Sequence, residues 1–296
     1  MVTAAGIPSP PISYIQLGPL TVHFYALCLL VGMVIAVLVT NRRLVRRGVA
    51  SGKVIDIAIW AIPIAIVGGR LYHVVTHPTD YFAPGDNLWS IPAVWQGGLA
   101  IFGSILFGTL GAYLGCRRSG VRFLTFADAL APGMLLAQAF GRFGNYFNQE
   151  LYGNPTTLPW GLQISSASPA YPPGVPDGTL FQPLFLYEMI WNIGGALLLI
   201  FVLERRLSLH RGQATGFYFL WYGFARAILE YMRDDPTELY VAGLKINEDV
   251  AILAAILGLL LILVSRRRQR LVNDPASDNL DIAEDTTPAQ LPASRT

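Results

Sequence analysis

The sequence predicts an all-α polytopic membrane protein of seven transmembrane helices, with the N-terminus outside, the C-terminus cytoplasmic and a small external loop region. Three observations carry this. Hydrophobic residues make up 53% of the chain and charged residues only 14%, whereas a soluble domain carries about a quarter charged residues. Mean hydropathy is +0.46. Apolar runs recur at close to the roughly 20 residues that a helix needs to cross a bilayer.

The runs place spans at roughly 19–40, 54–75, 92–115, 124–146, 184–203, 214–233 and 248–265. The connections alternate in character. Arg42, Arg43, Arg46, Arg47 and Lys53 follow the first span. Arg117, Arg118 and Arg122 follow the third, Arg205, Arg206 and Arg211 the fifth, and Arg266, Arg267, Arg268 and Arg270 the seventh. Of the other connections only one holds a lysine, Lys245. Basic residues accumulate on cytoplasmic loops, which sets the orientation. Residues 1–18 are then an external N-terminal segment, 19–270 the transmembrane domain, 147–183 an external loop rich in Pro, Gly, Ser and Thr, and 271–296 an acidic, disordered cytoplasmic tail. Residues 1–20 have no basic n-region, so the first span is expected to stay in the membrane.

Other classes are excluded or left unsupported. The formal net charge of +2 says nothing about nucleic acid, because the basic residues are a topology signal, and no nucleic-acid partner is expected. Cys28 and Cys116 cannot form a disulfide framework and are read as inert thiols. No metal site or cofactor is expected; a lone Asp128 is not the aspartate cluster a divalent metal needs. No internal repeat of the transporter kind is visible.

Once the topological clusters, Lys245 and Arg295 are set aside, four arginines remain inside or at the ends of spans: Arg70, Arg142, Arg226 and Arg233. Asp128, Glu188 and Glu230 join them. Arginine at the centre of a transmembrane helix costs about 2.5–3.5 kcal/mol on insertion scales, so it normally faces the protein interior or a wet cavity. All but Asp128 fall toward the external side, as do His23 and Tyr25 of the first span. Arg226, Glu230 and Arg233 share one helix face by their i, i+4, i+7 spacing. Arg142, Asn145 and Gln149 would line up likewise if their helix continues, and Gly141 and Gly144 would let a backbone or ligand come close. The excess of positive charge calls for an anion, and in an outer leaflet that is a phospholipid phosphate, which arginine grips bidentately.

The stretch Gly141-Arg142-Phe143-Gly144-Asn145-Tyr146-Phe147-Asn148-Gln149-Glu150-Leu151-Tyr152-Gly153 resembles the signature of the prolipoprotein diacylglyceryl transferases. Further matches keep the family's order: Val22-His23-Phe24-Tyr25, Gly68-Gly69-Arg70, Trp95-Gln96-Gly97-Gly98-Leu99, Leu186-Tyr187-Glu188, and the spacing of Arg226, Glu230 and Arg233. The resemblance covers about residues 10–270. It implies an enzyme of the bacterial plasma membrane, active toward the outer leaflet. Such an enzyme takes phosphatidylglycerol and the lipobox cysteine of a preprolipoprotein signal peptide, forms a thioether and releases glycerol phosphate, with no cofactor. The chain departs from the family pattern at Phe102, where a histidine is common, and at Gln182 and Phe185, which replace a histidine and a glutamine.

On this reading Arg142 and Arg226 hold the phosphate, Asn145 and Tyr25 orient the head group, Glu188 and Glu230 orient the arginines, and Glu150 supports the external loop. His23 is one candidate for the proton acceptor; His73 and His77 read as interfacial residues. Asn148, Gly153, Arg70, Tyr187, Arg233, Gly97 and Gly98 complete the expected binding set. The small residues Gly97, Gly98, Gly103, Gly108 and Gly111 of the third span are either a lipid opening or tight helix packing. Two other functions stay open: an anion transporter, and a relative that binds lipid without turnover.

Overall fold

The computed structural model describes residues 6–83, 87–207, 209, 211–232, 240–241 and 244–272. Long helices dominate it: α1 (Phe24–Arg46), α2 (Lys53–Thr76), α3 (Ile101–Ser119), α4 (Phe123–Asn148), α5 (Leu184–Arg206, with a π-helical stretch over Leu198–Leu203), α6 (Gln213–Tyr231) and α7 (Ile246–Val272). Five of them, α1, α2, α4, α5 and the Asp249–Arg267 part of α7, are long and apolar enough to cross a membrane. The 19-residue helices α3 and α6 are less apolar, because α3 ends in Arg117 and Arg118 and α6 carries tyrosines, Arg226 and Glu230. Leu30, Val34, Leu38, Ile55, Ile59, Leu106 and Leu253 all lie on the outside of the bundle, an apolar surface far larger than water tolerates.

Pairs of helices touch through small residues. A Cβ on Gly103 of α3 would lie 2.4 Å from the Gly68 carbonyl of α2. One on Gly133 of α4 would lie 3.0 Å from the Ala36 carbonyl of α1, and one on Gly223 of α6 2.5 Å from the Ala251 carbonyl of α7. The glycines of α3 therefore serve helix packing: Gly103 and Gly111 are buried against α2, and a Cβ on Gly108 would meet that of Ala65 at 3.0 Å.

The helix expected at 92–115 starts only at Ile101. Residues 92–100 are not helical; a 3₁₀ turn at Val94–Gln96 leads into Gly97 and Gly98, whose φ angles are +89° and +69°. Two consecutive left-handed residues end any helix, so apolarity alone extended the predicted span too far. Gln149 also departs from expectation. It caps α4 with φ +53°, so it leaves the Arg142–Asn145 face and instead accepts from Ser165 N (2.9 Å) and donates to Pro10 O (3.2 Å).

The arginine-rich ends of α1, α3, α5 and α7 define one end of the bundle. There Leu44, Ile57, Cys116, Phe126 and Ala129 form a buried core. Arg43 is 6% exposed and pairs with both carboxylate oxygens of Glu204 on α5, while also donating to Asp128 O at 3.0 Å. It is thus more than a topology charge: a buried guanidinium needs a partner, and Glu204 follows the π-helical stretch of α5. Asp128 of α4 accepts from Gly212 N (2.6 Å), Thr215 N (2.8 Å) and Thr215 Oγ1 (2.8 Å), capping α6 from another helix.

The opposite end carries the loops. Strands β1 (Tyr14–Leu17) and β2 (Leu20–His23) make an antiparallel hairpin that runs straight into α1. Strands β3 (Pro155–Thr156), β4 (Leu162–Gln163) and β5 (Leu180–Phe181) form a small sheet in the order β3-β5-β4, and β6 (Tyr240–Val241) pairs β7 (Leu244–Lys245). Leu162, Ile164, Phe181 and Phe185 make a core under the small sheet, with Phe143 and Tyr146 of α4 packed against it. The loop region is thereby fastened to the end of α4 that bears Arg142. The expected tail beyond residue 272 lies outside the described residues.

Asp128→Ala removes three hydrogen bonds and exposes the amino end of α6 to an apolar surrounding. We expect a loss of about 1–3 kcal/mol, read as a Tm several degrees lower in thermal unfolding of the purified protein in detergent; an unchanged Tm would refute the capping role.

Candidate active site

Arg142 and Glu188 meet across the α4–α5 contact, Arg142 Nε lying 2.5 Å from Glu188 Oε2. The side chains are 23% and 12% exposed, so the pair sits in a recess rather than on an open surface. The contact of the pair runs through Nε of the guanidinium. Glu188 also lines a small cavity, about 10 Å³ in volume, with Trp191 and Asn192 of α5 and Ala225, Arg226 and Leu229 of α6. Glu188 is therefore the link that brings the two sequence-predicted arginines to one site.

The carboxyl end of α4 supplies the second half. Glu150 accepts from Asn145 Nδ2 at 2.8 Å and from Asn148 Nδ2 at 3.1 Å, while its own N–H returns to Asn145 O at 3.2 Å. The left-handed turn at Gln149 makes this reach possible. Glu150 is thus a member of the cluster and not only a prop for the loop, and Asn145, 5% exposed, is bound to it. Tyr25 of α1 lies within electrostatic range of both Glu150 and Arg142. It packs where Gly144 has no side chain: a Cβ there would lie 2.7 Å from Tyr25 Cδ2. Gly141 faces only Leu29, at an ordinary 3.5 Å.

Gly153 and Tyr187 tie the loop region to this cluster. Gly153 N donates to Gln182 O at 2.9 Å, and a Cβ on it would lie 2.8 Å from Met232 O. Tyr187 Oη donates to Gln182 Oε1 at 2.8 Å and accepts from Trp160 Nε1 at 3.0 Å. Gln182 in turn donates to Thr156 Oγ1 at 3.2 Å. The residue that departs from the family pattern is the hub of this network.

Other predicted residues lie apart from it. Arg70 is 6% exposed. Its Nε donates to Ile91 O (2.7 Å), Nη2 to Ser90 O (2.6 Å), and Nη1 to Gly97 O (2.6 Å) and Gly98 O (3.0 Å). Its guanidinium carbon also lies 4.9 Å from the Tyr81 ring centroid. Every nitrogen of this guanidinium is engaged, so Arg70 organises the loop before α3, and Gly97 and Gly98 contribute carbonyls to that clamp. His23 is exposed at the start of α1 with its ring 5.7 Å from Tyr14, and no hydrogen bond among the described residues ties it to Arg142, Glu188 or Glu150. Phe102 rests against Tyr72 at 6.4 Å. Arg233 and the side chain of Glu230 lie outside the described residues.

Trp191 and Asn192 were missed. Asn192 is 7% exposed and stands one helical turn from Glu188, so the i, i+4 spacing was the available signal; nothing in the sequence marked Trp191. Among the described residues, no group of three or more His, Cys, Asp or Glu could hold a metal ion.

A helical protein with membrane-length apolar helices, and an arginine–carboxylate pair recessed beside its loop-bearing end, has the makings of an enzyme that handles an anionic lipid. Comparison with known proteins makes the class specific: a profile of the family described as prolipoprotein diacylglyceryl transferase matches residues 12–264, and the chain belongs to that family. Relatives named phosphatidylglycerol–prolipoprotein diacylglyceryl transferase include one from Leifsonia xyli subsp. xyli, 49% identical over 274 residues, covering 89% of this chain and 82% of the relative. One from Paenarthrobacter aurescens is 48% identical over 271 residues, covering 89% and 85%. One from Streptomyces griseus subsp. griseus is 43% identical over 286 residues, covering 97% and 84%.

Arg70→Lys tests the clamp. A single ammonium cannot reach four carbonyls spread over Ser90–Gly98. We expect a loss on the order of 3 kcal/mol and faster amide hydrogen exchange across residues 88–100; unaltered protection there would show that the clamp is dispensable.

Proposed function

We propose that the protein transfers the diacylglyceryl group of phosphatidylglycerol to the lipobox cysteine of preprolipoproteins, at the outer leaflet of a bacterial plasma membrane. Family membership and the relatives' names support the reaction. The observation that carries the site is the position of Glu188, which pairs with Arg142 and lines the same cavity as Arg226. The orientation, N-terminus outside with all seven helices spanning, is supported by the basic ends of α1, α3, α5 and α7 and the positive-inside rule.

In the reaction the cysteine sulfur attacks the glyceryl carbon that carries the phosphate ester. A C–S bond forms, the C–O bond breaks, and its electron pair leaves on glycerol phosphate. The phosphate changes from a singly charged diester to a monoester that gains a further negative charge, while the thiol gives up one proton. Two requirements follow. The thiol, with an unperturbed pKa of about 8.5, must be used as thiolate, and the growing charge on phosphate must be met. Arg142 and Arg226 answer the second by preorganised charge in a water-poor recess, where it acts most strongly. They also lower the energy of a thiolate brought beside the phosphate. Glu188 keeps Arg142 oriented through Nε. Glu150, held by Asn145 and Asn148, stands with Tyr25 on the other side of Arg142, placed to orient the head group. Arg70, Gly97 and Gly98 act through the loop and do not touch the phosphate.

Mass spectrometry of a synthetic lipobox peptide incubated with the purified protein and phosphatidylglycerol tests this reading. We expect a diacylglyceryl mass gain on cysteine, with the rate about 10²–10³ lower for Arg142→Ala. No gain with wild type would sink the reading; lipid binding that still depends on Arg142 would then identify a relative without turnover. His23→Gln is expected to retain turnover, as its ring is exposed and no hydrogen bond among the described residues ties it to the cluster. A loss as large as that of Arg142→Ala would return His23 to the site.

A further inference from the structure

Below the arginine cavity, α5 and α6 are joined by an aromatic crossing that the reaction as described does not use. Trp191 and Trp221 stack with centroids 4.3 Å apart and an interplanar angle of 23°. Each indole donates to the other's backbone: Trp191 Nε1 to Trp221 O at 3.3 Å, and Trp221 Nε1 to Trp191 O at 3.1 Å. Phe224 stacks on Trp191 at 5.7 Å and Phe217 on Trp221 at 5.4 Å. Gly195 makes the crossing possible, since a Cβ there would lie 2.3 Å from Trp221 Nε1. Turning either ring would break a hydrogen bond in apolar surroundings and leave a donor unsatisfied. The four rings therefore form a rigid plug.

The space above this plug has two compartments that share Trp191, Ala225 and Leu229. One is the polar cavity with Glu188, Asn192 and Arg226. The other is apolar, lined by Tyr187, Trp191, Ala225, Ile228 and Leu229. It reaches the outer face of the bundle, where Ile228 is 48% and Phe224 56% exposed. A ligand seated here would have an anionic group beside Arg226 and a hydrocarbon group against Leu229 and Trp191. That is the chemistry of a phospholipid entering from the side.

We infer that the apolar crevice between α5 and α6 holds one acyl chain of the phospholipid donor, and that the Trp191–Trp221 pair is the stop that sets how far that chain runs along the helices. The inference rests on the proposal that the donor phosphate lies between Arg142 and Arg226. From Tyr187 to Trp191 the crevice descends about one helical turn, roughly 6 Å. The first part of a chain fits above the plug. A longer chain must turn outward past Phe224 and Ile228 into the surrounding lipid. Trp191 is thus a specificity-determining residue for acyl chains, not a catalytic one.

The test has two arms on the full-length protein. In the first, kcat/KM for dioctanoyl- and dipalmitoyl-phosphatidylglycerol is measured with a lipobox peptide for wild type, Trp191→Ala and Trp191→Phe. We expect Trp191→Ala to move the long-to-short ratio at least about tenfold toward the long donor, with a smaller shift for Trp191→Phe. An unchanged ratio in both variants overturns the inference. In the second arm, phosphatidylglycerol with a mid-chain diazirine is photolysed with wild-type protein, so folding of a variant is not at issue. Labels are expected on residues 187–195 or 221–229. Turnover with labels only elsewhere overturns the acyl stop and spares the transfer reaction. Labels in the crevice with no turnover of any donor overturn the transfer reaction and leave the chain site standing.

Discussion

Arg142 and Glu188 hold the site together. An arginine inside an apolar bundle is costly unless a carboxylate meets it, and the 2.5 Å contact between α4 and α5 satisfies this. Because α5 also faces α6, the same carboxylate brings Arg226 to the cavity. The small sheet at the loop end packs on Phe143 and Tyr146, close to Arg142 along α4.

The other buried arginines show what a structural role looks like in the same fold. Arg70 is closed by four carbonyls and Arg43 by both oxygens of Glu204. Asp128 is likewise consumed by the amino end of α6. These contacts join segments far apart in sequence, at both ends of the bundle.

Phe102 and Gln182 show how this chain tolerates departures from the family pattern. Phe102 packs on Tyr72, an apolar contact outside the arginine cluster. Gln182 connects Thr156, Tyr187 and the backbone of Gly153, so the loop region stays attached to α5 without the histidine that is common there.

Apolar composition, the alternation of basic clusters and the arginines left over were all legible in the sequence, because helix length, membrane preference and the cost of a buried charge depend on the residues themselves. They predicted a helical membrane protein and named Arg142, Arg226 and Glu188, and the motif around Arg142 pointed to the family. The tertiary structure alone decided which arginines are available. Arg70 and Arg142 look alike as lone cations late in apolar runs, yet the partners of Arg70 are carbonyls 20–28 residues away, two of them on the left-handed Gly97 and Gly98. The tryptophan plug was equally hidden, since Trp191 and Trp221 lie 30 residues apart on separate helices and meet only when those helices cross. Hydrogen bonds of that kind depend on where the chain returns in space, which local composition does not encode.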